Sequence, residues 1–168
     1  TFGRVSKAYP DAKGYILVGE SCEFPSKDPR VIPIEAAKRG KEHEGDTRPM
    51  AGYFPCNDYH EWVDAVKGAV RKYNPTADVV FWTYNWGSAD KIPRLELIDR
   101  LTKDISLMVT YEMFEDYTLP NGYTGRCNDY TLAFAGPGKY FVSEAERAKK
   151  NGIRLYAMSN TGGLTWDY

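Results

Sequence analysis

The spacing of hydrophobic positions changes repeatedly along the chain. Tyr15-Ile16-Leu17-Val18-Gly19 is a continuous apolar run set off by the turn residues Pro10-Asp11-Ala12-Lys13-Gly14, which predicts a strand buried on both faces. Trp62, Val63, Val66, Ala69, Val70 and Tyr73 then recur at helical spacing. Asn57 is a fitting N-cap for that helix, and Asn74-Pro75 is expected to end it. Ala77 to Tyr84 predicts a second strand, followed by an Asn85-Trp86-Gly87-Ser88 loop. Pro93 suits the first turn of a helix that runs to about Leu101 and buries Leu95, Ile98 and Leu101. Ile105 to Thr110 predicts a third strand, after which a long loop carries Glu112, Glu115, Asp116 and Asp129. Ser143 and Glu146 have the spacing of a capping box for a helix reaching Lys150. Asn151-Gly152 closes that helix, and Ile153 to Met158 predicts a fourth strand before the loop Ser159-Asn160-Thr161-Gly162-Gly163.

Strands that alternate with helical crossovers imply a parallel sheet. Right-handed crossovers put the carboxyl end of every strand on one side. The expected class is therefore α/β, with about four strand–helix steps forming part of a TIM-type (β/α)8 barrel across residues 1–168. Within it, residues 20–56 form a long polar, proline-containing loop with room for a short helix near 33–41. The two sides differ. Connections from helix to strand are short (Asn74-Pro75-Thr76, Thr102-Lys103-Asp104, Asn151-Gly152), whereas those after the strands are long. A barrel with an active carboxyl-end face has this asymmetry. A full barrel needs roughly 200–250 residues. The ends, Thr1-Phe2-Gly3 and Thr165-Trp166-Asp167-Tyr168, also read as cut, so the remainder of a parent chain is the expected partner. Pairing of two such pieces is another way to cover open sheet edges.

Composition narrows the picture further. The chain is 42% hydrophobic and 27% charged with a net charge of −1, which suits a folded domain and offers nucleic acid no basic face. No apolar run approaches the roughly 20 residues of a membrane span. Cys22, Cys56 and Cys127 stand far apart and make neither a disulfide framework nor a zinc ribbon. His43 and His60 have no neighbours at metal-ligand spacing, so no metal is expected. No G-x-G-x-x-G or P-loop is present, so no nucleotide cofactor is expected either. Aromatic residues reach 14%, including 13 Tyr and 4 Trp.

Many of these aromatic residues fall with carboxylates just after the strands, where parallel α/β folds bind ligands. The first strand delivers Glu20 and Glu23, and the second Trp82, Tyr84, Asn85 and Trp86. The third delivers Tyr111, Glu112 and Glu115, and the fourth Ser159, Asn160 and Thr161. Glycosidic cleavage uses such a set. One carboxylic acid protonates the leaving oxygen, and a second attacks the anomeric carbon or activates water. The two are about 5–5.5 Å apart for retention and about 6.5–9.5 Å apart for inversion. Glu20 and Glu112 are the candidate catalytic pair, and Glu23, Trp82, Tyr84, Asn85, Trp86, Tyr111 and Asn160 the candidate sugar-binding residues. Glu23 and Glu115 also read as ordinary loop charges. Trp82, within its strand, reads equally as a packing residue. Trp86, beyond its strand, is expected to stack on a ligand.

Four segments carry a family resemblance: Val18-Gly19-Glu20-Ser21-Cys22-Glu23-Phe24-Pro25-Ser26-Lys27-Asp28-Pro29, Val80-Phe81-Trp82-Thr83-Tyr84-Asn85-Trp86-Gly87, Thr110-Tyr111-Glu112-Met113-Phe114-Glu115 and Met158-Ser159-Asn160-Thr161-Gly162-Gly163. In these the chain resembles bacterial glycoside-hydrolase-like barrels, similar in layout to family-20 β-hexosaminidases and to endo-β-N-acetylglucosaminidase and α-glucuronidase groups. The resemblance implies the fourth to seventh strands of such a barrel, with Glu20 in the place of the acid/base. Gly19-Glu20-Ser21 departs from the adjacent Asp-Glu of family 20, so the substrate-assisted mechanism of that family is not implied. No carboxylate directly follows the fourth strand, and Glu112 is the nearest substitute for a seventh-strand nucleophile.

A non-catalytic carbohydrate-binding or scaffold domain built on the same face is the alternative reading, and an open-sheet α/β enzyme of another class is the third.

Overall fold

A computed structural model of the chain describes residues 1–19, 59–84, 86, 91–127 and 136–159. Its regular elements are α1 (Phe2–Ala8), β1 (Gly14–Val18), α2 (Tyr59–Arg71), β2 (Asp78–Trp82), α3 (Lys91–Arg100), β3 (Ser106–Thr110), β4 (Asp116–Thr118), β5 (Thr124–Arg126), α4 (Lys139–Asn151) and β6 (Arg154–Met158). The described elements fall into two compact units, a helical one with α1, α2 and α3 and a sheet unit with the six strands and α4. The N-cap expected at Asn57 and the helix expected near 33–41 lie outside the described residues.

In the helical unit, α2 buries Tyr59, Val63, Val66 and Val70, a stripe at i, i+4, i+7 and i+11. Helix α1, which the pattern of apolar residues did not announce, packs on α2. Ser6 Oγ donates to the Val70 carbonyl at 2.8 Å, and Phe2 meets Trp62 edge-on at 6.3 Å. Beyond α2, the buried Asn74 side chain donates to the Ala12 carbonyl at 2.7 Å. In α3 the buried residues are Arg94, Leu97 and Ile98, with Leu101 just after the helix. Leu95, expected inside, is half-buried.

In the sheet unit, β1, β2, β3 and β6 run parallel in that order. The sheet is open among the described residues, with β1 and β6 at its edges, so the shown class is α/β with a four-stranded parallel sheet. Successive side chains alternate between its faces. Leu17, Val79, Phe81, Leu107 and Val109 make one buried face. The central strands are covered most completely, and Val80, Ser106 and Thr110 on the second face are buried as well. The expectation that the first strand is buried on both faces is corrected. Ile16 is 55% exposed and Val18 is also exposed, because they lie on the face of β1 opposite the buried Leu17, and that face is not covered there.

Helix α4 packs against β3 and β6. Its start also corrects the sequence reading. The helix begins at Lys139 after an N-cap at Gly138, so Ser143 is an interior residue whose hydroxyl donates to the Tyr140 carbonyl at 2.9 Å. The expected capping box with Glu146 is therefore absent. The first-turn N–H of Lys139 instead bonds the carboxylate of Glu115, brought in from another segment. Gly152 ends the helix in the left-handed conformation as expected, with φ +67° and its N–H bonded to the Lys149 carbonyl. No helix among the described residues is long and apolar enough to cross a membrane.

Candidate functional site

The carboxyl end of the sheet is built from short polar contacts between neighbouring strands. Residue by residue, Glu112 follows the end of β3, is 5% exposed, and accepts a 2.6 Å hydrogen bond from Ser159 Oγ at the end of β6. A buried carboxylate loses much of its hydration and persists only with partners of this kind. The backbone behind it is strained. Phe114 has φ +69°, a region costly for a bulky residue. The strain is held by the Phe114 N–H bond to the Cys127 carbonyl at 2.9 Å and by ring contact with Tyr140.

Glu115, one residue on, is the capping carboxylate of α4 already described. Gly138 is required beside it, because a Cβ there would lie 2.8 Å from Glu115 Cγ. The loop charge expected at Glu115 is therefore a fixed structural contact. Tyr111 joins the same corner. Its carbonyl accepts the Gly138 N–H at 2.8 Å, and its half-buried ring meets Phe141 edge-on at 4.9 Å. Cys127 is buried close by, and its thiol pKa is pushed up, first by burial and then by the charges of Glu112, Glu115 and Asp116.

Next to this corner, Trp82 and Tyr84 are half-buried and in contact at 4.8 Å, the Trp82 indole N–H donating to Thr110 Oγ1 at 3.2 Å. On the opposite face, the buried Tyr140 hydroxyl donates to the Thr83 carbonyl at 2.6 Å and lies 2.7 Å from Thr83 Oγ1. This ties α4 to the end of β2.

Trp86 differs from its expected role. It is 1% exposed, its ring packs edge-on against Phe81 at 5.3 Å, and its indole N–H donates to the Gly19 carbonyl at 3.0 Å. A ring enclosed in this way is a packing post, and the open stacking surface expected for Trp86 is not formed. It holds the end of β1, whose Gly19 lies so close to β2 that a Cβ would sit 2.7 Å from the Trp82 carbonyl oxygen. Glu20, Glu23, Asn85 and Asn160 lie outside the described residues.

Two features of this end escaped the sequence reading. In the sequence Ser159 is only a strand-end residue, and its bond to Glu112 depends on two strands meeting across the sheet. The other is the antiparallel hairpin of β4 and β5, which follows Glu112 within what read as loop. Its signal was present. Leu119-Pro120-Asn121-Gly122-Tyr123 places Pro in a turn-opening position and Gly at a left-handed one. The Gly122 N–H closes on the Leu119 carbonyl at 2.9 Å with Gly122 at φ +83°. Among the described residues no group of three or more His, Cys, Asp or Glu is placed to hold a metal ion.

No protein-family model matches this chain, and no curated protein and no solved structure matches it.

Proposed function

We propose that this chain is the part of a (β/α)8-barrel glycoside hydrolase that supplies carboxyl-end strand residues to the site, with Glu112 as one of its two catalytic carboxylates. The observation that carries the reading is the buried Glu112 at the end of β3, fixed by Ser159 from the end of β6. A carboxylate placed with such care where parallel sheets bind ligands suits chemistry better than solubility. The Ser159 hydroxyl donates to the Glu112 carboxylate and holds it in one orientation. That suits the nucleophile or general base, leaving Glu20 as the acid/base. The strained turn at Phe114 supports the same reading, since strain of this type gathers at functional sites.

Trp82, Tyr84 and Tyr111 supply aromatic surface for the sugar, with Glu23, Asn85 and Asn160 as further binding groups. The parallel strands and the open edges of β1 and β6 suit a sheet completed into a barrel by further strands, from the remainder of a parent chain or from a second copy. The test is hydrolysis of a panel of aryl glycosides by the full-length protein. Turnover by the wild type, lost in Glu112→Gln and in Glu20→Gln with the fold intact, is the expected result. A wild type that cleaves nothing in the panel would favour the non-catalytic carbohydrate-binding alternative.

A further inference from the structure

We infer that the β4–β5 hairpin is a sugar-binding arm, with Tyr123 and Tyr117 forming a stacking platform for a carbohydrate chain whose reacting bond lies at Glu112. The inference rests on the proposed carbohydrate activity and extends it to residues outside the candidate set.

The hairpin is rooted directly beside the buried carboxylate. The Cys127 N–H bonds the Glu115 carbonyl at 2.7 Å and the Phe114 N–H bonds the Cys127 carbonyl at 2.9 Å, so the ladder begins two residues after Glu112. Beyond this root the strands are three residues each and largely exposed. An isolated two-stranded hairpin of that length is marginal in water. Its sequence nevertheless defines it closely. The turn is the Pro-Asn-Gly design above, the Tyr123 N–H bonds Asn121 Oδ1 at 3.0 Å, and the Asp116 carboxylate pairs with Arg126 at 2.8 Å.

One face of this small hairpin is aromatic. Tyr117 lies opposite Gly125, so close that a Cβ on Gly125 would be 2.7 Å from the Tyr117 hydroxyl oxygen. The absent side chain lets the Tyr117 ring lie down across the partner strand. Tyr123 continues the surface, its ring 6.4 Å from that of Tyr117, and it is 58% exposed with the exposed Leu119 beside it.

Cross-strand ring contact alone stabilises a hairpin only modestly. It does not require an outward ring at the tip. Tyrosine is a rigid, amphipathic contact that loses little entropy when it binds. Thr118 and Thr124 pair on the opposite face of the hairpin, so the rings of Tyr117 and Tyr123 are what the aromatic face offers a sugar. Tyr117 is five residues from Glu112, at most about 17 Å along an extended chain. The platform therefore lies within reach of a chain whose reacting bond is at Glu112.

The experiment is affinity electrophoresis of the full-length protein in gels containing laminarin, xylan, hydroxyethylcellulose or glycol chitin. The wild type is compared with Tyr123→Ala, Tyr123→Leu and Tyr123→Phe, with Tyr73→Ala as an exposed-tyrosine control and circular dichroism to confirm folding. At least one polysaccharide is expected to retard the wild type. Alanine and leucine should weaken binding roughly tenfold, while phenylalanine and the Tyr73 variant bind as the wild type. Retardation by none of the four, undiminished binding by Tyr123→Leu, or loss in Tyr123→Phe would overturn the inference. The parent reading fails separately. Tyr123-dependent binding without hydrolysis removes the catalytic proposal and keeps the arm, whereas hydrolysis of the retarding polysaccharide with KM unchanged in Tyr123→Ala keeps the catalytic proposal and removes the arm.

Discussion

The two ends of the parallel sheet each carry a carboxylate, and their surroundings differ. Towards the amino end, Asp78 accepts from Ser106 Oγ at 2.9 and 3.0 Å, from the Tyr156 hydroxyl at 3.0 Å and from Arg154 at 3.4 Å. Those partners come from β3, next to β2 in the sheet, and from β6, the strand after it. Asp78 thus ties three strands together, and its acceptor sites are occupied by the fold. At the carboxyl end, Glu112 is more deeply buried, follows its strand rather than starting one, and is backed by a strained turn. An arrangement like that of Asp78 adds stability. Glu112 has fewer ties between strands among the described residues, and the proposed function gives it a chemical role instead.

The contrast makes predictions that begin with catalysis. Glu112→Gln should lower glycoside turnover by the full-length protein roughly a thousandfold or more, with KM little changed, as expected when a reacting carboxylate is lost. Asp78→Asn should leave turnover intact in the folded protein. A large loss of turnover in a folded Asp78→Asn protein would break the comparison.

Stability effects come next. Tyr140→Phe should destabilise the sheet unit by about 1–3 kcal/mol in urea unfolding, because it leaves the buried Thr83 groups short of a partner. Asp78→Ala should cost about 1–2 kcal/mol, most of it from Ser106 rather than from the exposed Arg154. Equal losses of stability in Glu112→Gln and Asp78→Ala, with neither affecting turnover, would erase the distinction between the two ends.

Two smaller effects sharpen it. The native Cys127 thiol should be alkylated slowly at pH 8, since burial and then the Glu112 charge hold its pKa up. Glu112→Gln should raise that rate by less than about threefold, because burial is the larger cause. The smallest effect concerns Asp116, whose carboxyl is held below its ordinary range by the Arg126 hydrogen bond and charge. Its folded pKa is depressed, so its contribution is present above the usual carboxylate range and fades as pH falls through the lowered value. Protection factors of the β4 and β5 amides, corrected for the intrinsic pH dependence of exchange, should fall in that acidic window and stay unchanged from pH 6 to 8. Asp116→Asn should abolish the acid dependence.

Much of this organisation was legible in the sequence. The four parallel strands and the helices between them appear at nearly their expected positions, because the apolar runs of β2 and β3 and the heptad-like stripe of α2 are the features that burial selects. The placement of Glu112 just past a strand was legible in the same way. Residues whose role depends on a distant segment were not. Ser143 looked like a cap because its spacing from Glu146 fits one, yet Glu115, 24 residues from Lys139, supplies the bond. Trp86 looked available because it follows a strand, yet Phe81 and the Gly19 carbonyl enclose it. Ser159 gained its importance only when β6 was placed beside β3. The hairpin had a local signal in Pro120-Asn121-Gly122, masked by strands too short to show alternation.

The measurement that tests the central claim most directly is the hydrolysis of the aryl glycoside panel by the full-length protein, wild type against Glu112→Gln, with urea unfolding of both. The account predicts turnover by the wild type and its loss, by roughly a thousandfold or more, in a variant that unfolds at nearly the same urea concentration. Turnover by Glu112→Gln equal to that of the wild type would contradict it.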